Sequence, residues 1–228
     1  MKKFIRKSHR WLGLLFSLTI LMSSGSGVIH VIMSRTQAAP PSAKPSEAGL
    51  NTAAITISPA QAFPDTQPTA INIRNIAGTP HYQAFLPDQT GFTYIDATTG
   101  TENKTADTTY AREIASKFLA SDEVEQTDFL TSFNREYIGI FRILPVYRFD
   151  LADGKGTRVY VSTITGSVTR HTDDKKQFEA DIFSLFHKFM FIPNKDLRDL
   201  TISAVTGGAF LISILGIVLF FLTRPRKK

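Results

Sequence analysis

Cysteine is missing altogether. That absence excludes a disulfide framework, a thiolate nucleophile and a thiolate metal site, and it is compatible with a bacterial periplasm. Charge is missing in two places. Residues 11–33 and residues 200–222 are 23-residue windows without Asp, Glu, Lys or Arg. Helices rise ~1.5 Å per residue, so each window reaches ~34 Å, enough to cross a hydrocarbon core of ~30 Å. In lipid every backbone polar group must be paired within its own segment, which makes both windows helices. A mean hydropathy of −0.04 hides this segregation. Catalytic signatures are missing as well: the chain has no phosphate loop, no HExxH and no GxSxG. Neither window holds a carboxylate, which argues against an intramembrane proton path.

What is present sets the orientation. The net charge is +6, and nine of the 26 cations sit in residues 1–10 and 223–228, where there is no acid. The remaining 17 face all 20 acids, leaving −3 in the intervening chain. Cations flanking the spans place both ends in the cytoplasm of a bacterial inner membrane and the loop between them in the periplasm. Nucleic acid is not an expected partner, because the basic surplus belongs to the membrane flanks. A cleaved signal peptide is the rival reading of the N-terminus, with Ser23, Ser24, Gly25, Ser26 and Gly27 as a cleavage zone. The apolar run resumes at Val28 through Met33 and reaches full spanning length, which favours a retained anchor.

The segments follow in order. Residues 1–10 are a basic tail and 11–33 the first span. Residues 34–54 form a tether whose 37–51 stretch, QAAPPSAKPSEAGLN, is too rich in Pro, Ala and Ser to order itself. Residues 55–176 are the folded domain, 177–195 an interfacial helix and turn, 196–222 the second span, and 223–228 a basic tail. Within the domain a unit recurs. Pro80 leads through two β-rich runs to Gly100, and Pro145 leads through two more to Gly166. Each unit reads as an antiparallel hairpin closed by Thr-Gly, where Gly takes the positive φ of a turn. The polar turns are 87–91 and 152–156. A helix precedes each hairpin: residues 107–120, with Ile114, Phe118 and Leu119 apolar and Asp107 as N-cap, and a stunted counterpart at 58–63 with Pro59 in its first turn. Residues 129–144 are expected to add a strand pair. The halves are therefore 55–106 and 107–176, and the fold class is α+β, antiparallel hairpins packed on helix. Residues 178–191 read as an amphipathic helix, with Phe178, Ile182, Phe183, Leu185, Phe186, Phe189 and Met190 apolar and Glu179, Asp181 and Lys188 polar.

These residues carry a resemblance. Ser8-His9-Arg10-Trp11-Leu12-Gly13 with Ser24-Gly25 and His30 is similar to the first segment of PepSY-associated transmembrane proteins. LPVYRFD and RVYVSTITGSV resemble a PepSY hairpin, and Ser184-Leu185-Phe186-His187 with Val205-Thr206-Gly207 and Leu215-Gly216-Ile217 resembles the closing segment. The likeness covers nearly the whole chain outside the tether. Larger members carry four spans; two would make this a minimal version. The resemblance implies a link to iron or siderophore uptake, with some larger members resembling haem-bearing ferric-siderophore reductases, and soluble PepSY units serve in peptidase propeptides.

Five histidines bear on that. At 100° per residue His9, Gly13, Phe16, Ile20, Ser23, Gly27 and His30 fall in one stripe of the first helix. Small and polar residues on one face of a spanning helix point at protein, here at Ser203, Thr206, Gly207 and Gly216 of the second. His9 and His30 are 21 residues apart, or ~32 Å, so they cannot share a ligand. His30 and His187 are both expected at the outer surface and have the ligand chemistry of a b-type haem. A second haem at His9 needs a homodimer. The alternative for all three is an interfacial side chain that snorkels or caps. His81 is expected to be an exposed or packed strand residue, and His171-Thr172-Asp173-Asp174 a solvated charge run. The leading expectation is a non-enzymatic membrane-anchored interaction module, with lipid and a membrane partner or second copy around it. A haem-bearing electron-transfer subunit and a peptidase regulator are the alternatives.

Overall fold

The computed structural model describes residues 2–37, 41–44, 49–87, 91–141 and 143–223. It divides into two compact units, Met1–Ala38 with Lys175–Lys228, and Ala39–Asp174.

The first unit is built on two long helices, α1 (Lys2–Thr36) and α5 (Lys195–Thr223). Both are long and apolar enough to cross a membrane. Each runs past its uncharged window, and α1 takes in most of the basic tail. The Ser/Gly-rich stretch at 23–27 stays helical. The helices pack antiparallel: His9 lies against Gly216 and Ile212, and Phe16 against Gly208. The expected α1 stripe is the shielded side as far as Gly27, since His9, Gly13, Phe16, Ile20, Ser23 and Gly27 are all partly covered, whereas its last member, His30, is exposed. On α5 the expected partner face needs correcting. Gly216 does lie on the covered side, against His9, but Ser203, Thr206 and Gly207 are exposed, and Thr201, Val205, Gly208, Ile212, Leu215 and Leu219 are among the covered residues. Both helices thus repeat in alternating steps of four and three residues, the pattern of a left-handed seam of two helices. Gly208 is needed there: a Cβ on it would stand 2.5 Å from the Phe16 ring, whereas Gly207 meets nothing within 4 Å.

The amphipathic helix at 178–191 also differs. The chain forms α4 (Asp174–Ile182), then a π-helical turn at Phe183–His187. Phe178 is 61% exposed and Glu179 is buried, the reverse of the expected faces.

The second unit holds two antiparallel sheets. The first is β1 (Ala70–Ile76), β2 (Thr79–Phe85) and β3 (Phe92–Asp96). The second is β4 (Val124–Leu130), β5 (Val146–Leu151), β6 (Arg158–Ser162) and β7 (Ser167–Thr172). Both expected hairpins are present, β2–β3 and β5–β6, and Gly100 and Gly166 have φ of 75° and 62°. The tip of the first, residues 88–90, lies outside the described residues. A helix precedes each sheet: α2 (Pro59–Ala62), with a capping box between Ser58 and Gln61, and α3 (Ala106–Leu119). The expected strand pair at 129–144 is absent among the described residues. β4 ends at Leu130, and a segment with one 3-10 turn at Gly139–Phe141 follows. Its aromatics stack on one another, Phe133 on Tyr137 and Tyr137 on Phe141.

Packing explains the burial. α3 turns Tyr110, Ala111, Ile114, Ala115 and Phe118 onto Phe149, Val159, Val161 and Val168 of the second sheet, with Ile76 and Tyr94 of the first joining that core. The 131–145 segment covers the other face of that sheet with Tyr137 over Val146 and Tyr160. Side chains alternate across a strand, so β6, covered on both sides, is buried at all five positions. A second core lies where α2 meets the first sheet: Phe63, Tyr82, Ala84, Ile95 and Ala97.

Part of the expected tether is in contact with the domain. The Ala43 carbonyl accepts from the Val168 amide at 3.0 Å, and the Gly49 carbonyl from Asn75 Nδ2 at 3.2 Å. Residues 38–40 and 45–48 lie outside the described residues, as do 224–228 of the C-terminal tail.

Candidate functional site

The three membrane-proximal histidines occupy two places in the helical unit. His9 Nδ1 lies 3.2 Å from the Ile212 carbonyl, and its ring fills the space left by Gly216. It is a packed seam residue. His30 and His187 are brought into one cluster with Phe183. The Phe183 centroid is 4.7 Å from that of His30 and 4.5 Å from that of His187, the latter pair stacked at 13°. His187 Nδ1 is 3.0 Å from the Ser23 carbonyl, and its ring lies over Gly27. His30 Nδ1 contacts the carboxylate of Glu179, whose other oxygen accepts from Gln37 Nε2 at 3.1 Å. The proximity of His30 to His187 was legible from the sequence. Glu179 was not, because an acid in an amphipathic pattern is normally placed on the wet side.

This arrangement does not fit a bis-histidine haem pocket. Axial imidazoles point ring nitrogens from opposite sides at one iron, which lies in the plane of both rings. Here the Phe183 ring packs against both imidazoles; the Nδ1 contacts with protein oxygens are ones that an iron-ligating imidazole also makes. His9 contacts Ile212 and Gly216 of α5 and no other histidine among the described residues. No group of three or more His, Cys, Asp or Glu able to hold a metal occurs among the described residues.

The α+β unit carries two buried polar networks that the sequence did not announce. In one, Asp107 accepts from Tyr94 at 2.6 Å and Tyr147 at 2.8 Å. It therefore acts as a receptor for two phenols rather than as the expected N-cap, a position held by Thr105. Gln83, fully buried on β2, donates to Tyr94 and to the Thr163 carbonyl and accepts from Arg74. The network joins both sheets and the start of α3. Burial first, and then the Asp107 carboxylate, push the Tyr147 phenol up to about 12 and that of Tyr94 higher still. In the other network Arg158 makes a two-pronged bond to Glu136, both contacts 2.7 Å, and a third to Asp174 at 2.8 Å. Tyr160 donates to the same Glu136 at 2.7 Å. Burial raises the Glu136 carboxyl, but the bonds from Arg158 and Tyr160 and the guanidinium charge outweigh it and hold the group below its ordinary value. Every polar partner here is engaged by another, which is the mark of a network that fixes geometry.

His81 is buried, placed between the Thr79 carbonyl and Asn103. The supposed charge run at 171–174 is structural: His171 and Thr172 belong to β7, the His171 ring meets Phe118 at 5.3 Å, and Asp174 pairs with Arg158.

The class defined by these features is an α+β protein with a two-sheet domain inserted between two long apolar helices that pair with each other. No family model, curated protein or solved structure matches the chain.

Proposed function

We propose that this is a bacterial inner-membrane protein whose paired spans α1 and α5 hold a PepSY-like binding module in the periplasm, both ends of the chain being cytoplasmic. The observation that carries the reading is the antiparallel seam through His9–Gly216 and Phe16–Gly208, uniting two uncharged windows whose outer ends are both cationic. In such a pair the two ends of the chain emerge together, and the positive-inside bias assigns that end to the cytoplasm. The recurrence of helix, strand and hairpin in 55–106 and 107–176 supports the PepSY likeness, and through it a partner in iron or siderophore uptake. The haem-bearing alternative has less support, given Phe183 between the two imidazoles.

The test exploits the absence of cysteine. Glu123→Cys and Lys7→Cys, both at exposed positions, are each the sole thiol in the chain. In spheroplasts a membrane-impermeant maleimide should label the first and spare the second until the membrane is permeabilised. Labelling with the opposite preference, or release of the protein by carbonate, would overturn the reading.

A further inference from the structure

The outer edge of β7 has an occupant from the chain itself. β7 ends the strand order of the second sheet, so its outward backbone groups have no strand beside them among the described residues. The Val168 amide finds its acceptor in the Ala43 carbonyl at 3.0 Å. Around that bond lies a cleft of about 280 Å³ lined by Pro41 and Ala43 on one side and by Phe118, Phe141, Val168 and Arg170 on the other. The Arg170 guanidinium sits 5.1 Å over the Phe141 ring. A sheet edge offering a backbone donor, beside a cleft lined by aromatics and a proline, combines two standard ways of holding an extended peptide. The described part of that occupant brings Pro41 and the small side chains of Ser42 and Ala43 before Lys44.

We propose that the β7 edge and its aromatic cleft form a groove for an extended, proline-bearing peptide segment of a partner protein, and that residues 41–44 close the groove in cis. A partner segment places a backbone carbonyl on the Val168 amide and a proline against Phe118 and Phe141. A segment tethered within the same chain competes at an effective concentration of about millimolar, so only a partner with bulkier contacts, or one held nearby, displaces it. This deepens the binding-module reading and rests on it, by naming the surface and the kind of ligand.

The experiment uses the full chain in detergent and a fluorescein-labelled peptide with the sequence of residues 37–48. Anisotropy is measured for the unaltered protein, for a variant with residues 39–46 replaced by Gly and Ser at equal length, and for that variant with Val168→Pro or Phe141→Ala. The Gly/Ser variant should bind at least about tenfold more tightly than the unaltered chain, and both added substitutions should remove the gain. Circular dichroism establishes that each variant is folded; should Val168→Pro unfold, Phe141→Ala decides alone. A folded Gly/Ser variant that does not bind, or equal binding with and without the native segment, overturns the proposal. The measurement is indifferent to which side of a membrane the domain occupies, so its failure and that of the topology reading are separately visible.

Discussion

Glu136→Ala isolates the buried Arg158 charge. The substitution removes three acceptor contacts, each at 2.7 Å, and leaves a guanidinium on a residue only 8% exposed. Taking one partner from a buried ion pair costs about 3–5 kcal/mol. Asp174 and the Gly156 carbonyl still engage Arg158, which places the expected loss near the lower bound, about 3 kcal/mol. For a domain of this size that is a fall of roughly 10–15 °C in Tm. The single tryptophan, Trp11, lies in α1, so fluorescence would report on the wrong unit. Hydrogen exchange of the β5–β7 amides, or pulse proteolysis across a urea series, reads the domain directly. The double substitution Glu136→Met with Arg158→Met should recover at least half of the loss, since replacing both charges leaves none uncompensated. A single-variant cost under about 1 kcal/mol, which is the range of exposed pairs, or a double variant equal to the sum of the singles, would refute the argument. The pH dependence has a definite sign. The Glu136 carboxyl lies below its ordinary value in the folded state, so its contribution is present above the unfolded glutamate pKa and disappears as pH falls through the folded one. The acid limb of stability should therefore be shallower in Glu136→Ala.

Three further outcomes can be checked. Burial and the Asp107 carboxylate push the Tyr147 phenol up to about 12, above the ordinary tyrosine value of about 10, so the protein should lose stability as pH rises above about 10, and Tyr147→Phe should lessen that slope in alkaline unfolding curves. Gly208→Leu should abolish intramolecular cross-linking of a His9→Cys, Gly216→Cys pair by a short bismaleimide, while Gly207→Leu should leave it intact, because only Gly208 abuts Phe16. Protein purified from haem-replete cells should lack a Soret band, oxidised or dithionite-reduced; a band abolished by His187→Ala would show that Phe183 moves aside.

The two apolar helices were readable because lipid solvation imposes one rule on every residue of a window, and an exception such as a small or polar stripe then stands out. That stripe gave the α1 face correctly, while the α5 face was missed by one residue because Gly207 and Gly208 are indistinguishable in composition. The hairpins were readable from β-rich runs flanking polar turns. The 129–144 region misled because Phe133, Tyr137 and Phe141 resemble strand residues, yet their spacing of four reflects ring stacking in an irregular segment. Pairings such as Arg158 with Glu136, or Glu179 with His30, leave no local signature, since each depends on elements distant along the chain. The histidine cluster was half legible: His30 and His187 were both expected at the outer surface, whereas Phe183, which contacts both, sits in a π-helical turn that no pattern announced.

The seam between α1 and α5 joins residues far apart in the sequence, His9 and Ile212 being 203 positions apart. At a synthesis rate of about 5–20 residues per second, α1 waits on the order of ten seconds or more before its partner exists. During that interval His9 and Phe16 lack the α5 residues they pack against. A nascent product cut short before Gly208 carries a Phe16 ring without the glycine it packs against.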